Sequence, residues 1–203
     1  PHASSTKTPA TADQPPETLP PPPPIAYTRD EPGIIVGQVL GADGRGLADA
    51  VAWLEQGKPT TAPGQELQLI QKEGAFRPRV QAARVGSRLK LLCAEEQASF
   101  KASGAADFNL RLTQGRQQVR PLERAGLIEV RSELKPEQSA YVWVFDHPYF
   151  ALTDATGRFR LPMVEPGSYT LVLWQASRAP QRKQWPITLQ PGWGAEVDWK
   201  LAE

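Results

Sequence analysis

Thr153-Asp154-Ala155-Thr156-Gly157-Arg158-Phe159-Arg160-Leu161-Pro162-Met163-Val164-Glu165-Pro166-Gly167-Ser168-Tyr169-Thr170-Leu171-Val172-Leu173-Trp174 decides the fold class of this chain. Its first five residues put Asp at the start of a tight turn and Gly where a positive φ is needed. Pro166-Gly167 repeats that turn chemistry ahead of the run Ser168 to Trp174. Turns of this kind between short β-branched and aromatic runs predict antiparallel strands and leave no room for a helix. Tyr169 is expected to bury its ring and to give its hydroxyl to backbone near Pro166. Further on, Ile187-Thr188-Leu189 and Ala195 to Leu201 read as two closing strands around the turn Pro191-Gly192-Trp193-Gly194.

Working outward toward the N-terminus, the same grammar recurs. Ile34 to Leu40 is a strand ended by the turn Gly41-Ala42-Asp43-Gly44, and Leu47 to Leu54 follows it. Between these two blocks lie Leu67 to Gln71, Arg79 to Ala83 and Arg88 to Cys93, with Phe76-Arg77-Pro78 as a turn. Phe108-Asn109-Leu110-Arg111-Leu112 alternates at period two, so one face is dry and the other wet. Leu127 to Val130 and Tyr141 to Phe145 complete a Greek-key set. No convincing helix is present; Gln97 to Ala106 could hold one turn. The expectation is all-β, a sandwich rather than a closed barrel.

Composition narrows the function classes. The 203 residues are 40% hydrophobic, enough for one or two small cores. A net charge of +1 with no long basic run gives no reason to expect nucleic acid. No stretch approaches the roughly 20 apolar residues of a membrane helix. The single Cys93 excludes an internal disulfide and is read as a half-buried strand residue, with a reactive thiol as the alternative. The chain begins at Pro1 rather than Met, which suggests a removed signal peptide. Residues 1–31 are small, polar and proline-rich, with little to bury. Pro20, Pro21, Pro22, Pro23 and Pro24 should adopt polyproline II, extended at about 3.1 Å per residue. Two readings stand: a spacer from a membrane or lipid anchor, or an extended arm lying on a partner.

A family resemblance sharpens this. From Val85 the chain reads V-G-S-R-L-K-L-L-C-A-E-E-Q-A-S-F, and from Gly126 to Trp174 it carries S-E-L-K-P-E-Q-S-A-Y-V and P-Y-F-A-L-T-D-A-T-G-R-F-R-L ahead of P-G-S-Y-T-L-V-L-W. Over roughly residues 33 to 175 this resembles the cupredoxin-like, methylamine-utilisation-type proteins with carboxypeptidase-regulatory-like (transthyretin-like) segments. The pattern of that family is V-G-s-x-V-x-F-x-N-x-D-x-x-x-H, then C-x-I-H-P-x-M-x-A-Y-V, then a PYFAxTDxxGxFxL tail. The resemblance implies copper ligands at Ser99, Ser132, Lys135 and Gln138, where this chain has none of the expected His, Cys, His and Met. Cys93 and Glu95 fall where the family has Asn and Asp, while Pro136, Ala140 and Tyr141 still match. Trigonal copper needs imidazoles, a thiolate and a thioether, and a protonated lysine cannot ligate. The expectation is a cofactor-free protein without metal. The resemblance also implies that the hairpin Gly33 to Leu54 continues only at Thr153 to Leu171. The fold class expected is therefore a Greek-key sandwich of cupredoxin type (59–144) combined with a discontinuous carboxypeptidase-regulatory-like β-sandwich (32–58 and 145–203), preceded by a proline-rich extended arm (1–31).

Catalysis finds little support. His2 and His147 are the only histidines. Asp146 beside His147 points the other way along an extended chain, so the two do not make half a triad. A linker His147 bonded to a backbone carbonyl is the expectation. Glu95 with Glu96, or Glu133 with Glu137, read as solvated charges. No G-x-S-x-G, H-E-x-x-H or phosphate loop occurs. Trp185 and Trp193 flank turns and are the candidate partner-binding aromatics alongside Pro20 to Pro24. The expected function is a non-catalytic accessory subunit of a periplasmic or cell-envelope assembly, binding other protein subunits and no small-molecule substrate. A carbohydrate- or peptidoglycan-binding module and an electron-transfer accessory protein are the alternatives.

Overall fold

A computed structural model describes residues 32–176 and 180–201. The proline-rich arm, with Pro20 to Pro24, lies outside the described residues. The chain opens with β1 (Gly33–Leu40) and β2 (Ala50–Leu54). It continues through β3 (Glu66–Lys72), β4 (Ala75–Arg77), β5 (Val80–Arg84), β6 (Ser87–Cys93), β7 (Gln97–Gly104), β8 (Phe108–Thr113), β9 (Gln117–Leu122), β10 (Gly126–Arg131) and β11 (Ser139–Phe145). It closes with β12 (Phe150–Leu152), β13 (Arg158–Val164), β14 (Gly167–Gln175), β15 (Gln181–Leu189) and β16 (Gly194–Lys200). The protein is all-β.

The described residues form four sheets, in the orders β13-β1-β16, β12-β2-β14-β15, β4-β3-β6-β9 and β5-β11-β10-β7-β8. The first two enclose one core, around Ile35, Leu54, Phe159, Leu161, Leu171 and Trp199. The other two enclose a second, around Leu69, Leu89, Leu91, Phe100, Ile128 and Val142. The first sandwich is thus made of strands from both ends of the described chain, and the second of the strands between them. β1 runs parallel to β16 and antiparallel to β13, which ties the two ends together.

A third apolar cluster lies where the sandwiches meet. Val51, Trp53, Val172 and Trp174 from one side pack on Val80, Ala82, Tyr141 and Phe145 from the other. This seam explains why β2, Ala50-Val51-Ala52-Trp53-Leu54, is buried at every position. Alternate side chains point to opposite faces, so Ala50, Ala52 and Leu54 fill the first core while Val51 and Trp53 fill the seam. Trp53 and Trp143 approach to 4.6 Å between ring centroids, and Trp143 meets Trp174 edge-on at 5.7 Å.

Several local expectations are corrected. Most of Gln97 to Ala106 forms strand β7 and none of it a helical turn, because Ala98, Phe100 and Ala102 alternate into the second core. Phe76 lies in strand β4 rather than in a turn. β9 was not foreseen, since its residues are mostly polar; it is an edge strand, which tolerates the missing amide of Pro121. β15 extends back through Pro186 to Gln181 for the same reason, being the other edge of its sheet. The Thr153 to Gly157 turn forms as read: Gly157 has φ 79°, and Asp154 Oδ1 accepts from the backbone N–H of Thr156 at 2.8 Å and of Arg158 at 3.0 Å. Gly167 is not at a positive φ. Its lack of a side chain serves Tyr169, whose ring would lie 3.3 Å from a Cβ there, while the Tyr169 hydroxyl donates to the Glu165 carbonyl at 2.8 Å.

Candidate functional site

Three of the four resemblance-derived positions come together at one end of the second sandwich. Ser99 sits on β7; Ser132 and Gln138 flank the turn between β10 and β11. All three are buried, and a fourth side chain that sequence reasoning missed joins them: Gln71 on β3, only 1% exposed. Its signal was available, since Leu69 and Gln71 share the inward face of a period-two strand.

The hydrogen bonds close on themselves. Gln71 Nε2 donates to Gln138 Oε1 at 2.6 Å and more weakly to Ser132 Oγ at 3.4 Å. Gln71 Oε1 accepts from the Ser99 amide at 3.2 Å. Ser99 Oγ accepts from the backbone N–H of Glu133 at 2.8 Å and of Leu134 at 3.2 Å. The Ser99 and Ser132 hydroxyls lie 3.1 Å apart and share one hydrogen bond. Ser132 Oγ also accepts from the Lys135 amide at 3.1 Å, and Gln138 Nε2 donates to the Gly74 carbonyl. The network therefore pins the β10–β11 turn to β3 and β7.

Lys135 is not part of that cluster. Its side chain is about half exposed and its ammonium lies 3.6 Å from Glu95 Oε2. Glu95 in turn accepts from the Gly74 amide. Cys93 is 3% exposed rather than half-buried, its thiol donates to the Glu95 carbonyl at 2.9 Å, and burial pushes its pKa up.

Copper fits these residues poorly. The oxygens that could face a cation are hard hydroxyl and carboxamide groups, already accepting N–H or O–H bonds, and the nearby lysine is an ion-paired ammonium. Among the described residues, no group of three or more His, Cys, Asp or Glu could hold a metal ion.

The remaining candidates scatter. His147, 5% exposed, lies near the seam, with its ring 5.4 Å from that of Phe145 and against Gly57, where a Cβ would fall 2.4 Å from the imidazole. Its Nδ1 accepts the Tyr149 N–H at 3.2 Å, so the expected bond to a carbonyl is replaced by one that needs an unprotonated nitrogen. Burial lowers its pKa, with Asp146 opposing and Arg84 adding to that shift. Glu133 is ion-paired with Arg111 at 3.5 Å and Lys101 at 3.9 Å. Trp185 does not flank a turn: it pairs with Leu171 in mid-strand, is half-buried and meets Trp199 edge-on at 6.3 Å. Trp193 lies in the β15–β16 turn and is 50% exposed.

Comparison with known proteins adds the following. The family model "Polysaccharide lyase family 4, domain II" matches residues 138–196, a minority of the chain that runs from β11 into β16. A search of curated proteins returns no match. Among solved structures, the Cu-containing nitrite reductase (NirK) from Thermus scotoductus SA-01 is 13% identical, with TM-score 0.37 over 43% of this chain and 25% of that one. The present chain thus spans about a quarter of that enzyme. A purple cupredoxin from Nitrosopumilus maritimus is 16% identical, with TM-score 0.34 over 38% of this chain and 97% of that one. Amicyanin from Paracoccus versutus is 12% identical, with TM-score 0.34 over 46% and 96%. Likenesses this low add nothing to what the strand pairing establishes.

Proposed function

We propose that this chain is a non-catalytic, metal-free accessory subunit of a cell-envelope or periplasmic assembly. One observation carries the reading. Where the resembling family would keep copper, this chain has a buried network in which Gln71, Ser99, Ser132 and Gln138 use one another's donors and acceptors. Such a network is a structural tie, because a bound cation would have to break it and strand buried amides. The first sandwich would then be the carboxypeptidase-regulatory-like part. Contacts to partner subunits would run through the proline-rich arm and the exposed Trp193. A carbohydrate-binding module is the second reading, favoured by the match to a family model named for a polysaccharide lyase.

The test is a pull-down from solubilised envelope with the tagged full-length chain, with metal analysis of the same eluate. A stoichiometric protein partner without copper is expected. Copper bound to the purified chain alone would overturn the reading. Retention on polysaccharide or peptidoglycan without a protein partner would transfer it to the second.

A further inference from the structure

The outer face of the three-stranded sheet β13-β1-β16 carries two rows of charge in register. Val36 of β1 pairs with Arg160 on one side and with Glu196 on the other. Two residues on, Gln38 pairs with Arg158 and with Asp198. All four charged residues are exposed, because the alternating Phe159, Leu161, Val197 and Trp199 face the first core. At these two levels the face is therefore basic on β13, acidic on β16 and uncharged on the strand between; the next outward residue of β16 is Lys200, and Asp154 lies at the same end beside Arg158. Neighbouring strands are about 4.8 Å apart, so the two rows stand roughly 10 Å from each other. Among the described residues none of the four side chains makes an ion pair within 4 Å. A groove of about 710 Å³ runs over this face and takes in Leu152 on the neighbouring β12.

From this arrangement we infer that the face is an isologous interface for a second copy of the chain. The register selects one geometry. A two-fold axis parallel to β1, lying between two stacked faces, exchanges the lateral rows while keeping each residue at its own level along the strand. Arg160 then faces Glu196 of the partner copy, Arg158 faces Asp198, and both pairs occur twice. An axis across the strands would instead set basic on basic and acidic on acidic. Under the axis parallel to β1 the two charged levels complement themselves, so a second copy of the chain supplies both signs where they are needed.

The apolar groups agree. Ile34, Met163 and Trp193 are 37%, 68% and 50% exposed and stand at the same end of this sheet. Ile34 pairs with Gly194, the residue after Trp193. Met163, with φ 60°, lies in the irregularity opposite Ile34 where the β1–β13 register shifts. The same axis stacks Ile34 on its own copy and carries the Met163 edge over the Trp193 edge. The face is small, roughly 14 by 25 Å from strand spacing and rise, well under the roughly 800 Å² per partner of a stable interface. The dimer is accordingly weak and weakened further by salt.

The test is sedimentation velocity of the full-length chain across concentration at low and high salt, with two charge-reversal variants. Arg158→Glu with Arg160→Glu makes both paired levels acidic; Glu196→Arg with Asp198→Arg makes both basic. The parent is expected to dimerise reversibly at low salt and each variant to associate roughly tenfold more weakly or less. An equimolar mixture of the two variants should form a 1:1 heterodimer, and the chain with all four reversals should regain the homodimer. Matching circular dichroism spectra will show that each variant folds. A parent that stays monomeric at low salt, folded variants that dimerise as the parent does, or a mixture that fails to pair would each overturn the interface.

Discussion

At one end of the second sandwich four buried polar side chains bond one another; at the seam between the sandwiches the buried indole nitrogen of Trp143 bonds nothing among the described residues. Among the described residues Trp143 Nε1 has no hydrogen-bond partner, nor do Gln81 Nε2 and Gln175 Oε1, which alternation turns toward the second and the first core, whereas Gln71, Ser99, Ser132 and Gln138 are linked to one another. The difference teaches where each region draws its stability. An orphaned polar atom costs about 1–3 kcal/mol. A fully buried aromatic ring removes upward of 150 Å² from water, worth about 4 kcal/mol. Around Trp53, Phe145 and Trp174 area wins, so the seam tolerates the orphaned Trp143 indole. Around Ser99 there is less apolar area and more backbone to satisfy, so direction wins.

The largest expected effect breaks the seam. Trp53→Ala should cost about 3–5 kcal/mol and uncouple the sandwiches, so that urea unfolding followed by fluorescence and by circular dichroism no longer gives coincident transitions. A single transition with a loss below about 1 kcal/mol would show that the seam carries little. Next, Gln71→Leu should cost about 2–3 kcal/mol by stranding the Ser99 amide and the Gln138 carboxamide in a buried site. Equilibrium unfolding of the purified variant measures it.

A pH titration sharpens the comparison at its junction. His147 is held neutral by burial and by its role as acceptor for the Tyr149 amide, so its folded pKa lies below the ordinary value of 6.5. Above that value it is neutral folded or unfolded and its contribution is complete. Below it the unfolded chain takes up the proton first, so stability falls as pH drops from 6.5 through the lowered folded pKa. His147→Gln should flatten that part of the melting-temperature profile; an unchanged slope would assign the acid sensitivity elsewhere. The smallest effect should come from Gln175→Met. It removes an already orphaned oxygen at similar volume and should change stability by no more than about 1 kcal/mol, in the stabilising direction. If it costs as much as Gln71→Leu, the contrast between a bonded and an orphaned buried carboxamide collapses.

Much of the fold was legible because strands declare themselves by alternation and turns by Asp, Pro and Gly. Phe108 to Leu112 and Thr153 to Gly157 needed no tertiary knowledge. β7 and β9 were missed for opposite reasons: β7 hides its alternation among small residues, Ala98, Ser99 and Ala102, and β9 is a polar edge that only its pairing with β6 defines. The grouping of Ser99, Ser132 and Gln138 was readable from the resemblance, but Gln71 lies 28 residues from Ser99 and entered only through the register of β3.

By itself the sequence determined the all-β class, the Thr153 to Gly157 turn and the absence of imidazole, thiolate and thioether from the three clustered positions, because each follows from local residue chemistry. Tertiary structure decided the rest. Whether Trp53 faces a core or a seam, whether Ser99 Oγ has a lone pair to spare and whether Arg160 has a carboxylate within reach are questions of long-range register. Strands distant in the chain set that register by burying their shared apolar faces, and no local pattern records which strands will meet.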